Sequence, residues 1–164
     1  MSSISIRPAR PDDHAAIARL TVAAYRADGQ LDGGHGYERA LADVTGRAGS
    51  GELLVAEDDG HLVGSVLFVL PGSPYAELSG PGEAEFRMLA VDPSAQRRGV
   101  GQALVEACRA RGMELSCRAI IIGVRDFARP AQRLYAQLGF VRVPERDWSP
   151  MPGVNLLALR LELP

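Results

Sequence analysis

Six consecutive residues, Gln96-Arg97-Arg98-Gly99-Val100-Gly101, carry the most specific chemical signal in this chain. They follow the apolar run from Phe86 to Val91 and open a segment of helical periodicity. Glycines at 99 and 101 permit a tight turn in which successive N–H groups converge on one anion at a helix start. A strand, a turn with two arginines and then a helix together suit a diphosphate cradle. Spacing excludes two familiar cradles. A P-loop requires Gly-Lys-Ser/Thr, and the chain has no lysine. A dinucleotide fingerprint requires a third glycine where Leu104 stands.

The pattern that fits is Q/R-x-x-G-x-G/A, and with it the chain resembles the GCN5-related N-acetyltransferases, the GNAT superfamily. Leu89-Ala90-Val91-Asp92-Pro93 precedes the turn. Leu134-Tyr135-Ala136-Gln137-Leu138-Gly139-Phe140 follows it at the expected distance. Ile4-Ser5-Ile6-Arg7-Pro8 with Pro11-Asp12-Asp13 resembles the family's opening, so the resemblance spans nearly the whole chain. It implies acetyl transfer from acetyl-CoA to an amine, carried by a single N-acetyltransferase domain.

That reaction has three demands: hold the donor, supply a neutral amine and neutralise the departing thiolate. For the first, the resemblance assigns the amides of Arg97, Arg98, Gly99, Val100, Gly101 and Gln102 to the diphosphate, with Gln96 opening the motif. The two arginine side chains either add charge or point to water. The backbone of Leu89, Ala90 and Val91 would pair with the amide-bearing pantetheine arm like an added strand, while their side chains serve the core. For the second, an amine of pKa ~10.4 must lose a proton at pH 7, which costs ~4.6 kcal/mol. Glu85 is the candidate base, because several GNAT enzymes carry a glutamate on this strand. A strand carboxylate paired with an arginine is the plainer reading. Glu83 is expected in the preceding loop.

For the third demand, Tyr135 matches the family tyrosine whose hydroxyl lies near the cofactor sulfur. A phenol of pKa ~10 can give a hydrogen bond or proton to a thiolate whose conjugate acid is near 8.5. By periodicity alone Tyr135 is a packed core aromatic. One position departs from the family: Ala128 stands where many members have an asparagine that contacts the cofactor arm. In the family the acceptor is selected by the first helices, the loop before the fourth strand and the last hairpin. Tyr25, Tyr37, Tyr75 and Trp148 fall in those segments and are candidates for an aromatic wall.

Elements able to position these groups can be read along the chain. Ile4–Arg7 suits a strand, and Pro11-Asp12-Asp13 a helix start with Arg10 as a poor cap. Ile17, Leu20 and Ala24 recur at helical spacing. Asp28 to Gly36 reads as a loop, Tyr37 to Arg47 as one helix and Gly46 to Gly51 as a break. Two strands, Leu53–Glu57 and Leu62–Leu70, flank the hairpin signal Asp58-Asp59-Gly60-His61. Pro71 to Glu83, with three Pro and three Gly, is a long loop. Glu85–Val91 is the next strand. A helix follows from Gly99 to Leu115 with Val100, Leu104, Cys108 and Leu115 inward. Ala119–Val124 is apolar throughout, as a strand covered on both faces requires. A helix over Arg129–Leu138 and strands over Phe140–Val143 and Val154–Leu163 complete the chain.

The order is α/β with a mixed, mainly antiparallel sheet of six to seven strands and about four helices, in agreement with the GNAT fold. In that family a bulge splays the fourth and fifth strands and the cofactor enters the gap.

Composition bounds the rest. A chain of 164 residues with 46% hydrophobic content and mean hydropathy of −0.02 suits one globular domain. No apolar stretch approaches the ~20 residues of a membrane span, and the start lacks a signal-peptide pattern, so a cytoplasmic location is expected. Cys108 and Cys117 are too few for a disulfide framework or a metal site, and no metal is expected. Net charge is −2, but residues 1–86 carry 6 Arg against 13 acids and residues 87–146 carry 11 Arg against 5. The basic half suits a phosphate-rich cofactor and the acidic half a cationic acceptor, although solvated helix faces account for many of these charges. A pI near 5.9 gives no support for nucleic-acid binding. Two other classes stay open: an acyl-CoA-binding sensor without turnover, and an acetyltransferase of protein termini or side chains. A homodimer is compatible with the resemblance.

Overall fold

In the computed structural model the described residues are 3–33 and 36–164, so Gly34 and His35 of the expected loop lie outside them. The strands are β1 (Ile4–Pro8), β2 (Glu52–Asp58), β3 (His61–Val69), β4 (Glu83–Val91), β5 (Ala119–Arg125), β6 (Val141–Arg142), β7 (Trp148–Met151) and β8 (Val154–Glu162). The α-helices are α1 (His14–Ala27), α2 (Tyr37–Ala42), α3 (Val44–Ala48), α4 (Val100–Glu114) and α5 (Arg129–Gln137). The sheet runs β1-β2-β3-β4-β5-β8-β6 with β7 also on β8, and among the described residues only the β4–β5 pair is parallel.

Strand alternation divides the core. Val66 and Phe68 of β3 join Leu104, Cys108 and Tyr135 on the face covered by α4 and α5. Leu67 and Val69 join Ile17 and Val44 on the face covered by α1 and α3. β5 is buried on both faces, with Ile120, Ile121 and Ile122 at 1% exposure or less. Each such side chain contributes about 1.5–3 kcal/mol of apolar burial. At Gly64 of β3 an added Cβ would lie 2.7 Å from Val100 Cγ1 and 3.0 Å from Leu104 Cδ1. The missing side chain therefore seats the first turns of α4 directly on the sheet.

Several elements differ from the sequence expectation. The helix expected from Pro11 begins as a 3-10 turn and becomes α-helical at His14. Asp13 stabilises this start by accepting from Arg10 N at 2.7 Å. The single helix expected over Tyr37–Arg47 breaks at Asp43, whose carboxylate accepts from Gly46 N and caps α3 instead. Leu115, expected inward, is the C-terminal cap of α4 and is exposed, while Gly112 takes the inner position against Leu163. β7 falls in a Pro-containing segment that reads as loop. The β2–β3 turn has Asp59 and Gly60 at φ 50° and 81°, as its Asp-Gly sequence predicts.

The feature that matters most for function lies in β4. Ser65 pairs with Ala90 and Leu67 with Arg87, so β4 carries one extra residue, and Met88 there has φ 56°. This bulge reverses the strand's alternation. Before it, Ala84 and Phe86 face α4 and α5; after it, Leu89 and Val91 do, and Ala90 turns toward Leu20 and Ala24 of α1. β4 stays paired with β3 as far as Val91, yet its pairing with β5 ends at Glu85–Ile121. Beyond that point the two parallel strands part.

Candidate functional site

A cavity of about 520 Å³ fills the parting and is lined from both faces of the sheet. Residues 86–91 of β4 form one wall and residues 122–125 of β5 the other. At one end Gln96, Arg97, Gly99, Val100, Gly101 and Gln102 close it; at the other, Tyr25, Asp28, Gln30, Tyr37 and Glu77 do.

The first end is built by a short backbone relay. Asp92 accepts from Ser94 N at 2.9 Å and from Ser94 Oγ at 2.8 Å, fixing the 3-10 turn after β4. Arg97 and Gly99 both adopt left-handed conformations, φ 66° and 80°, and Gly99 is the N-cap of α4. A Cβ on Gly99 would meet nothing within 4 Å, so its outer side is open. Helix geometry leaves the N–H groups of residues 100–102 without intrahelical acceptors, whereas Ala103 N reaches Gly99 O at 3.0 Å. Arg125, at the end of β5, also lines the cavity, and its Nε is buried without an acceptor among the described residues. Free amides at a helix N-terminus, with Arg97 and Arg125 in the lining, give this end the chemistry that suits an anion.

Between the ends lies Tyr135, buried at 6% exposure and packed against Phe86 and Phe140 with ring centroids 5.9 and 5.6 Å away. Burial pushes its phenol well above the ordinary value, so the hydroxyl stays protonated and can donate. Cys108 is buried in the core and Cys117 lies outside the lining; burial raises both thiols, which makes neither a nucleophile.

The far end is aromatic and ionic. Tyr25 and Tyr37 pack at 5.9 Å, and burial raises both phenols. Arg87 places Nε 3.1 Å from Glu77 Oε1 and donates to Tyr75 O at 3.2 Å and Tyr37 Oη at 3.3 Å. Arg47, fully buried behind this wall, donates to the carbonyls of Ala40 and Leu41 and so ties α3 to α2.

The family model for the Acetyltransferase (GNAT) family matches residues 15–140, most of the chain. The chain belongs to the GNAT acetyltransferase family. No curated protein matches it in sequence. A histone acetyltransferase HPA2 and related acetyltransferase from Corynebacterium glutamicum is similar in structure, at 26% identity and TM-score 0.75, covering 100% of this chain and 97% of that one. The PaiA N-acetyltransferase of Thermoplasma acidophilum, solved in complex with coenzyme A, aligns at 14% identity and TM-score 0.74 over 98% and 99%. The ribosomal-protein-S18-alanine N-acetyltransferase of Escherichia coli aligns at 21% identity and TM-score 0.68 over 98% and 93%. These two share the GNAT fold with this chain.

Against this GNAT frame the sequence-derived site residues separate. Residues 89–91, Gln96, Arg97, residues 99–102, Tyr135, Tyr25 and Tyr37 surround one cavity. Arg98 does not: its guanidinium turns to Asp58 at 2.9 Å and lies outside the lining. Trp148 sits on the outer side of the last hairpin, where Pro150 and Met151 reach the cavity instead. Tyr75 packs its ring against Arg87 at 5.9 Å rather than against the opening.

The structure places Glu85 apart from the others. It is 1% exposed, outside the lining, and its carboxylate accepts from the amides of Glu77, Leu78 and Ser79 at 3.0–3.2 Å. An oxygen pair bonded in this way anchors a loop. Glu83 is not in the loop either. It opens β4, bonds Arg146 at 2.9 and 3.0 Å and sits 3.3 Å from Arg160, and the arginine beside it lowers its carboxyl to about 2. Sequence reasoning missed Glu77, Arg87 and Arg125. Arg125 ends the apolar fifth strand as its one charged residue, which is a usable signal; Glu77 lay in a loop without periodicity and gave none.

Proposed function

We propose that this chain is an acetyl-CoA-dependent N-acetyltransferase that transfers an acetyl group directly to the primary amine of a small molecule or amino-acid-like acceptor. The observation that carries the reading is one continuous cavity joining an anion receptor to an aromatic, carboxylate-bearing end through the parted β4 and β5. Its orphaned donors, the amides of residues 100–102 and Arg125 Nε, fit a diphosphate, and Arg97 in the same lining adds charge. The free edge of β4 past the bulge offers main-chain groups to an amide-bearing arm. Coenzyme A in the PaiA neighbour favours the same ligand here.

When bound, the donor supplies an activated acyl carbon as a thioester. Arg97 and the helix N-terminus neutralise its phosphates and fix its position. Tyr135, kept protonated by burial, donates to the sulfur as it leaves. Ala128 lines the cavity with a methyl group only, so the arm is held from the β4 side and by the cradle. Neither cysteine lines the cavity, which favours direct transfer over a covalent acyl-enzyme. Closure by Tyr25, Tyr37, Pro150 and Met151 favours a small acceptor over an extended peptide.

Thiol release from acetyl-CoA is the test, followed against primary alkylamines, amino acids, aminoglycosides and short peptides. Turnover on small amines is the expected result. Tight coenzyme A binding with no thiol release on any acceptor overturns the enzyme reading in favour of a sensor.

A further inference from the structure

The parting of β4 and β5 has a carboxylate facing it that no sequence motif marks. Glu77 lines the cavity, and its contact with Arg87 Nε uses Oε1. Among the described residues no donor bonds Oε2. Each of the three Arg87 nitrogens faces an acceptor of the protein: Glu77, Tyr75 O or Tyr37 Oη. The far end thus offers an incoming group an acceptor oxygen, beside a guanidinium already paired with Glu77 and bonded to Tyr75 and Tyr37. Asp28 adds a second carboxylate to the same lining. A ligand with an ammonium group suits these two carboxylates.

The loop that carries Glu77 is held from below. Glu85, fully buried on β4, accepts from Glu77 N with both oxygens, at 3.0 and 3.2 Å, and from Leu78 N and Ser79 N at 3.0 Å each. Leu78 in turn packs toward Gly123 of β5, where an added Cβ would lie 3.4 Å from Leu78 Cδ1. One buried carboxylate on β4 therefore fixes the backbone that presents another to the cavity.

We propose that Glu77 is the proton acceptor for the acceptor amine, and that Glu85 is the positioning residue that holds it there. The inference rests on the transferase reading above. The ammonium group gives one proton to Glu77 Oε2 and becomes a neutral amine. Its nitrogen then forms the bond to the acyl carbon as the carbon–sulfur bond breaks. The second proton shed by nitrogen goes to the Tyr135 oxygen as the Tyr135 hydroxyl gives its own proton to the leaving sulfur, so that the phenol is restored. Glu77, 23% exposed at its side chain, returns its proton to solvent. Burial raises its carboxyl from the ordinary value, the direction that favours proton uptake. The charged and titratable groups around it are Arg87 and Glu85 of β4 and the Tyr37 hydroxyl of α2.

The experiment compares wild type, Glu77→Gln and Glu85→Gln by thiol release from acetyl-CoA with butylamine, 1,4-diaminobutane, phenethylamine and glycinamide, from pH 5.5 to 9. Gln at 77 keeps an oxygen for Arg87 and removes the charge and basicity. Its kcat/KM should fall about 100-fold, the size of a lost general base, and the acid limb of the pH profile should flatten. Coenzyme A affinity by calorimetry should stay within twofold of wild type. Glu85→Gln should lower kcat about tenfold or more through misplacement of residue 77, with the acid limb retained. A purely structural Glu85 would lower Tm and leave kcat alone. Wild-type turnover that Glu77→Gln matches within twofold, with the same pH profile, overturns the inference and leaves the transferase reading standing. No wild-type turnover on any amine overturns both.

Discussion

Replacing Gly99 by alanine adds one methyl group at the centre of the anion receptor. The residue holds φ 80°, and an added Cβ would meet no atom within 4 Å. Steric clash thus contributes nothing, and the folded state bears only the backbone cost of a left-handed non-glycine residue, about 1–2 kcal/mol. In a chain of 164 residues each kcal/mol corresponds to about 2–4 °C of Tm, so a fall of roughly 2–8 °C is expected. Gly60 provides a matched control. It sits at φ 81° in the β2–β3 turn, again with nothing within 4 Å, and lies outside the cavity lining. Gly60→Ala should lower Tm by a similar amount.

The two variants should differ in coenzyme A binding. Relaxation of residue 99 toward negative φ would rotate the peptide units that lead into α4 and turn at least one amide away from the cavity. A hydrogen bond to a charged group is worth about 1.5–3 kcal/mol, which converts to a roughly 10- to 150-fold loss of affinity. Calorimetric titration with coenzyme A reads this directly, and thermal unfolding reads the stability. Gly99→Ala that binds coenzyme A within twofold of wild type, at the Tm loss shown by Gly60→Ala, would refute the assignment of the cradle.

Two further outcomes follow from buried groups. Tyr135→Phe should lower kcat about 100-fold with coenzyme A affinity within twofold, since only the donor hydroxyl is lost from a ring that stays packed on Phe86 and Phe140. Equal kcat for the two proteins would remove the hydroxyl from catalysis. Glu83 supplies a pH dependence. Its carboxyl is lowered from 4.5 to about 2 by Arg146 and the Gly80 amide, so the stabilisation is fully present above pH 4.5 and is lost as pH falls toward 2. The whole effect is at most about 3 kcal/mol, of which roughly 2 disappears between pH 6 and pH 3. Denaturant midpoints at those two pH values should converge for Glu83→Gln relative to wild type, and an unchanged difference would count against the cluster.

What the sequence could show is set by how local each cause is. The inward stripe of α1, the Asp-Gly hairpin and the doubly buried β5 each follow from a period or a turn within a dozen residues, and each was legible. The turn into α4 was legible for the same reason: two left-handed positions, a cap and a helix start lie within six residues. The direction of Arg98 was not, because its partner Asp58 is forty positions away. Helix α3 escaped notice because Asp43 caps it from what reads as the middle of a longer helix. β7 escaped because proline lowers any strand reading.

Glu85 and Glu77 show how a single non-local event can reassign a site. The strand glutamate was a reasonable base on a regular strand, where alternation tells which residues share a face. Met88 breaks that alternation without a glycine or proline to signal it, so residues before and after the bulge cannot be compared by parity. Arg87 and Glu85, both before the bulge, point to the α1 side, and there the 70–82 loop folds back to meet them. A buried carboxylate in that place has two options: bind a cation or collect main-chain donors. Arg87 is taken by Glu77, Tyr75 and Tyr37, and Glu85 collects three amides. The residue left with an uncommitted oxygen at the opening is the one on the loop. The bulge that parts β4 from β5 and the loop anchored by Glu85 therefore belong to one construction: the first opens the sheet, and the second brings a carboxylate to the opening.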